Sequence, residues 1–211
     1  MRKWTSFSIW LLLCGLFLSL LLYFRLANGK PESFLIFQQQ QIFPLAALNL
    51  ITYLGDGLFA AGLVLYFGLT KHKQRAVQLF LVWIIGAFAV QSLKNTVFDD
   101  RSRPAAWFEK HKLPLDIPEG YDPHRTHSFP SGHTATAFGI WGMFAYQSKR
   151  RILGFAFALL TVFAAWSRIA LFQHFPADVV AGGLIGTCSI FAALWLSHKL
   201  EAKFPHLFAN R

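Results

Sequence analysis

Three short segments hold ionisable residues whose types and spacing suit phosphoryl transfer. In SRIALFQHFPAD (167–178), Arg168, His174 and Asp178 interrupt an apolar background. Ionisable groups at membrane depth are costly and face the protein interior or water, so such a cluster reads first as a functional site. Pro176 suits the first position of a helix, which puts Asp178 in the first turn, where a carboxylate is favoured. There Asp178 can accept a hydrogen bond from one imidazole nitrogen of His174, leaving the other more basic toward an electrophile. His174 is the candidate nucleophile. In HSFPSGHTATAFG (127–139), Ser131 is a good N-cap, Gly132 lets backbone approach a ligand, and the helix N-terminus favours an anion such as phosphate. His133, in the first turn opposite His174, is placed to protonate a leaving oxygen. In KNTVFDDRSRP (94–104), Lys94 supplies a point charge and Arg101 and Arg103 supply guanidinium forks. With Arg168 these cations form a cradle for the charge that spreads over phosphoryl oxygens during transfer.

The elements that carry these residues are read from composition. The chain is 55% hydrophobic and 14% charged, with 23 Phe among 211 residues, well beyond the apolar share of a soluble domain. An all-α polytopic membrane protein is expected, a single domain over 1–211. Six transmembrane helices are predicted at about 7–26, 45–68, 76–96, 133–148, 152–170 and 176–197, the fourth and fifth short against the roughly 20 residues that cross a bilayer. The first resembles a signal peptide in its basic start, but it is long enough to span and no small-residue cleavage pattern follows closely. Arg2 and Lys3, the TKHKQR and SKRR connections, and Lys199 with Lys203 alternate along the chain. They are expected on the cytoplasmic side with both termini. The 97–132 loop, between helices three and four, then lies on the extracytoplasmic face.

Helical rise brings the three segments to one level. At 1.5 Å per residue, Lys94 stands roughly 28 Å above Arg75, His133 roughly 24 Å above Lys149, Arg168 roughly 25 Å above Arg151, and Asp178 about 31 Å above Lys199. Four helices thus deliver polar groups to a common layer near the outer interface.

The motifs Pro130-Ser131-Gly132-His133 and Ser167-Arg168, five residues, His174, three residues, Asp178 resemble the second and third signatures of the type 2 phosphatidic acid phosphatase superfamily, the lipid phosphate phosphatases. The resemblance covers about residues 45–197. It implies metal-independent hydrolysis through a phosphohistidine on His174, with His133 as acid and Asp178 orienting His174. It implies that Lys94, Arg103, Ser131, the Gly132 backbone and Arg168 hold the phosphate. The first signature departs from the family spacing of Lys, six residues, Arg-Pro. Arg103-Pro104 follows Lys94 after eight residues, and Arg101 has the six-residue spacing but precedes Ser102. Arg103 is favoured for its proline, and Arg101 remains a competitor.

Asp56, one turn below the layer, reads either as a partner of Lys94 or Arg168 or as a water-accessible acid beside Gly55 and Gly57. His124 and His127 read as solvated. Gly182, Gly183 and Gly186 allow close helix packing. Trp107 and Phe108 are expected to form an interfacial segment, and Trp4 and Trp195 an inner aromatic belt. Cys14 and Cys188 read as small hydrophobes, and neither a metal ligand set nor a nucleotide loop is present. No cofactor is expected. The net charge of +10 points to anionic lipid or phosphate and not to nucleic acid. The expected activity is removal of phosphate from a lipid at the outer face of a bacterial inner membrane. Undecaprenyl pyrophosphate, phosphatidylglycerophosphate, phosphatidic acid and lipid A are the candidate substrates. A lipid phosphotransferase using the same residues and a non-enzymatic lipid or anion transporter are the alternatives.

Overall fold

The computed structural model describes residues 2–39, 43–70 and 72–205, with side chains from residue 5 onward. The side chains of Arg2, Lys3, Trp4 and Lys71, on which part of the orientation and belt expectations rest, lie outside the described residues. The described residues form helices α1 (Arg2–Asn28), α2 (Lys30–Gln39), α3 (Leu45–Thr52), a 3-10 turn (Tyr53–Gly55), α4 (Gly57–Leu69), α5 (Lys73–Thr96), α6 (Pro104–Lys110), α7 (Gly132–Gln147), α8 (Arg151–Ala170) and α9 (Pro176–Lys203), with no strand among them. Helices α1, α5, α8 and α9 are long and apolar enough to cross a membrane, and α3 with α4 makes a fifth if the bent pair is one span. The remaining expected span, α7, has 16 residues and reaches only about 24 Å. Leu12, Leu58, Leu69, Phe88 and Ile152 are all more than 60% exposed, which suits surfaces that face lipid.

The expected continuous span over 45–68 is broken. The axis bends by 50° between Gly55 and Gly57, where two glycines lower helix propensity on either side of a residue that prefers to cap. Asp56 adopts an extended backbone, and its Oδ1 accepts the Leu58 amide at 2.7 Å, starting α4 afresh. The Leu54 carbonyl accepts from Trp141 Nε1 at 3.0 Å, a side-chain partner for a carbonyl at a break in the helix. The break also seats α7. A Cβ on Gly55 would fall 2.5 Å from the His133 carbonyl oxygen.

Helix α7 packs against α1, α5, α8 and α9, and most of its length is buried. Gly182 and Gly186 let α9 approach it so closely that a Cβ at either would collide with the Ser131 or Ala135 carbonyl, the contact that a small-xxx-small pattern permits. At the other end, Gln147 Nε2 donates to Gln78 Oε1 at 2.8 Å, and Gln78 Nε2 to Ser197 Oγ at 3.4 Å. These bonds tie α5, α7 and α9 where unpaired amides would be costly. Trp10 is fully buried and satisfies its ring N–H on Thr161 of α8 at 2.9 Å.

The outer segments fold inward. Helix α2, absent from the sequence reading, places Phe34 with no exposed surface against Phe108, Phe172 and Phe175. The Trp107–Phe108 segment forms α6. Phe108 is 1% exposed, because Phe34 offers it an aromatic partner, while Trp107 stacks on His111 at 3.9 Å. Trp195 is exposed on α9 beneath Lys199, and both cysteines are free.

Candidate active site

The turn after α8 positions His174. Phe172 amide donates to the Ile169 carbonyl and Gln173 amide to the Arg168 carbonyl, both at 3.0 Å, the paired bonds of a Schellman termination. The residue that must turn left-handed is Phe172, with φ 56°, a conformation that costs a non-glycine residue about 1–2 kcal/mol. Full burial of its ring offsets that cost. The His174 amide joins Gln173 on the Arg168 carbonyl at 3.1 Å. Six residues of separation thus become adjacency: one carbonyl holds the backbone of the histidine beside the arginine.

Pro176 opens α9, and Asp178 sits in its first turn. Asp178 Oδ2 accepts the Phe175 amide at 2.9 Å and the Ser128 hydroxyl at 2.5 Å. His174 Nδ1 stands 3.6 Å from that same oxygen, too long for the hydrogen bond expected from the sequence, and it is buried without a hydrogen-bond partner. The oxygen is already committed to two donors. Asp178 therefore faces His174 as a neighbouring charge. Burial, and next the surrounding Arg103, Arg168 and Lys94, push the His174 pKa well below the ordinary imidazole range, so its ring is neutral at physiological pH.

Helix α7 begins at Ser131, whose Oγ accepts from the Thr134 amide at 3.4 Å and the Thr134 hydroxyl at 2.9 Å. The Ser131 amide donates to the Asp178 carbonyl at 3.0 Å, joining the turns that bear the two histidines. One turn of helix then carries His133, whose Nε2 lies 3.3 Å from Asp56 Oδ2. The expected partners of Asp56 were Lys94 or Arg168. The structure gives it to His133 instead, because the break between α3 and α4 lies against the first turn of α7.

A cavity of about 350 Å³ is lined by Lys94, Arg103, Gly132, His133, Arg168 and His174, with Tyr121 and Gln173 among its other walls. Arg168 is 6% exposed; one of its terminal nitrogens donates to Thr52 Oγ1 at 2.6 Å, and its Nε is buried without a partner. Arg103 is steered by Nε donation to the Thr126 carbonyl at 2.7 Å and terminal donation to Gln173 Oε1 at 2.6 Å. Lys94, at the end of α5, is 8% exposed and makes no ion pair with a carboxylate among the described residues. Three cations and two histidines from five elements thus face one space. Ser131 and Asp178 stand behind that wall.

Arg101 is not part of it. The stretch 101–103 lies in neither helix nor strand, and Arg101 and Arg103 line different cavities. The Arg101 amide bonds the Phe98 carbonyl, and its side chain lies over the Phe98 ring and beside Asp100. Thr52, Ser128 and Gln173 orient site residues and were missed. Nothing in their own segments marks them, since each acts across the fold. His124 touches the cavity rim, and His127 is exposed outside it. No cluster of three metal-binding side chains occurs among the described residues.

Comparison with known proteins matches the PAP2 superfamily over residues 75–202, a stretch that includes every cavity residue from Lys94 to His174. The lipid A 4'-phosphatase of Bacteroides thetaiotaomicron is 32% identical over 75 residues, covering 36% of this chain and 33% of the relative. The bacitracin transport permease protein BcrC of Bacillus licheniformis is 29% identical over 143 residues, covering 67% and 66%. The chain therefore spans about a third of the first relative and just under two thirds of the second. The crystal structure of Aquifex aeolicus LpxE superposes with a TM-score of 0.66 at 27% identity, over 79% of this chain and 94% of that one. A PAP2-type phosphatidylglycerolphosphate phosphatase from Bacillus subtilis superposes with a TM-score of 0.61 over 94% and 97%. At 19% identity, that likeness is one of fold.

Proposed function

We propose, from the premise that this chain belongs to the PAP2 superfamily, that it removes a phosphate group from a membrane lipid through a covalent intermediate on His174. The observation that carries this reading is the single cavity in which His133 and His174 share a wall with Lys94, Arg103 and Arg168. Lipid is the substrate class because the cavity sits at the ends of apolar helices, and a relative named for an activity is a lipid A 4'-phosphatase.

The reaction has two displacements. His174 Nε2, on the side of the ring away from Asp178, attacks phosphorus. The bond from phosphorus to the lipid oxygen breaks, and His133 gives that oxygen its proton. Water then attacks the phosphorus of the phosphohistidine, His133 takes the water proton, the P–N bond breaks, and inorganic phosphate leaves. Lys94, Arg103 and Arg168 neutralise charge on the non-bridging oxygens throughout, with the Gly132 amide and the positive end of α7 beside them. Asp178 favours the positive charge that the His174 ring gains on attack. Asp56 does the same for protonated His133, holding Nε2 so that Nδ1 faces the leaving oxygen.

The reaction takes place on the extracytoplasmic side of a bacterial inner membrane, with both chain termini cytoplasmic and Lys149, Arg150 and Arg151 at the inner face. Purified protein in neutral detergent with chelator should release phosphate from at least one of phosphatidic acid, phosphatidylglycerophosphate, undecaprenyl pyrophosphate and lipid A. His174→Ala should abolish release. Retained release by that variant contradicts the reading. A transport function, which the name of the BcrC relative raises, fits less well: below the cavity the buried face of α7 is Phe138, Ile140 and Met143, not a polar path.

A further inference from the structure

A second cavity, of about 280 Å³, lies on the other side of Asp178 and has no part in the chemistry above. Its cations come from three separate segments: Arg25 near the end of α1, Lys30 at the start of α2, and Arg101 in the loop after α5. Phe98, Phe129 and Phe175 supply its apolar walls. Among the described residues neither Arg25 nor Lys30 makes an ion pair with a carboxylate, and Arg101 reaches only the exposed Asp100, at 3.7 Å. Lys30 is held in place. Its ammonium sits 4.1 Å from the Phe175 ring centroid and 4.9 Å from that of Trp107, within cation–π range of both.

Three positive charges facing an aromatic-walled space match an amphiphile with an anionic head. The one carboxylate lining the cavity, Asp178, sets a single negative charge against the three positive charges of Arg25, Lys30 and Arg101, which leaves the positive charge in excess. Burial lowers the Lys30 pKa, which the nearby Asp178 carboxylate partly offsets. An anion bound there would restore it. The two cavities are back to back. Asp178 lines this one, His174 lines the other, and the pair is 3.6 Å apart. Arg101 and Arg103 repeat the arrangement, separated by Ser102 and pointing into different cavities.

We propose that the cavity of Arg25, Lys30 and Arg101 binds a second phosphate group of the lipid substrate, carried at a position separate from the phosphate that reacts. A diphosphate, with its phosphorus atoms sharing one oxygen, would sit within one cavity, whereas the wall of His174 and Asp178 divides these two. The substrate class is therefore a lipid phosphorylated at two distinct sites, which straddles that wall. This inference rests on the hydrolase reading of the first cavity and specifies its substrate.

The test compares an acylated sugar lipid bearing phosphates at two separate positions with its single-phosphate analogue, both in neutral detergent. Wild-type protein, Arg25→Gln/Lys30→Gln and Lys30→Arg are assayed for kcat/KM on each. The expected ratio of two-phosphate to one-phosphate kcat/KM exceeds unity in the wild type and falls about tenfold or more in the double variant, the scale of a lost charge-assisted contact. Lys30→Arg keeps the charge and should keep the ratio, which separates charge from folding. An equal loss on both lipids, or no change on either, overturns the proposal. So does an unchanged ratio with a lost stimulation by added phosphatidylglycerol, which would assign the cavity to a neighbouring headgroup. Inhibition by inorganic phosphate that weakens in the double variant without a change in ratio also overturns it, by assigning the cavity to free phosphate. If the wild type hydrolyses neither lipid, nor any of the four tested above, it is the hydrolase reading that fails.

Discussion

Asp56→Asn separates two jobs that the structure gives to one side chain. Oδ1 caps α4 through the Leu58 amide at 2.7 Å, and Oδ2 faces His133 Nε2 at 3.3 Å. Asparagine caps as well as aspartate, so the broken helix should form normally and the melting temperature in detergent should stay within the effect of about 0.5 kcal/mol usual for a tolerated change. The charge opposite His133 is lost. A hydrogen bond to a charged group contributes about 1.5–3 kcal/mol, and the carboxylate side chain is 24% exposed, which favours the lower half of that range. About 1.5–2 kcal/mol corresponds to a fall of roughly 12- to 30-fold in kcat for an alkyl phosphate, whose alkoxide leaves only with a proton. The assay pairs a lipid phosphate with p-nitrophenyl phosphate, whose phenolate leaves unaided. The expected fall is confined to the alkyl ester, and Asp56→Glu should recover part of it. An equal fall for both esters, or none for the lipid, refutes the role assigned to Asp56.

At Phe172 the usual order of glycine and alanine should invert: both variants lose a buried ring at about 3–5 kcal/mol, but Phe172→Gly relaxes the positive φ and should melt higher than Phe172→Ala, and the opposite order contradicts the strain assigned to the turn. Gly182→Ala drives a Cβ into the Ser131 carbonyl and should lower stability by about 1–3 kcal/mol together with activity, whereas Gly62→Ala, open around its Cβ position, should do neither. The depressed His174 pKa has a definite sign: the folded state resists protonation, so this stability is present above the unfolded value near 6.5 and is lost as pH falls below it toward the folded value. Between pH 7 and pH 5 the wild-type melting temperature should drop further than that of His174→Gln, and equal drops would show that the histidine is not held neutral.

The layer of charges was legible in the sequence because helical rise is regular: Lys94, His133, Arg168 and the 174–178 turn could be levelled by counting. Where the backbone leaves regular helix, counting fails. The 45–68 run reads as one apolar span, since hydropathy averages over the Gly-Asp-Gly break that turns Asp56 toward His133. Helix α2 is weakly patterned, and Phe34 gains its meaning only from Phe108, Phe172 and Phe175, far along the chain. Motif spacing left Arg101 and Arg103 in competition, and the direction of each side chain separates them. The His174–Asp178 pairing was foreseen, but not that Ser128 and the Phe175 amide would claim the nearest carboxylate oxygen. Such shared acceptors are invisible until the fold brings the donors together.

The central claim is a covalent bond between His174 and phosphorus, and acid-free quenching of the protein during turnover of a 32P-labelled lipid phosphate, followed by peptide mapping, tests it directly. Label that is stable to base, labile to acid and confined to the peptide containing His174, absent in His174→Ala, is the expected result. Undiminished turnover with no labelled protein at any quench time, or label on another residue, would contradict the mechanism.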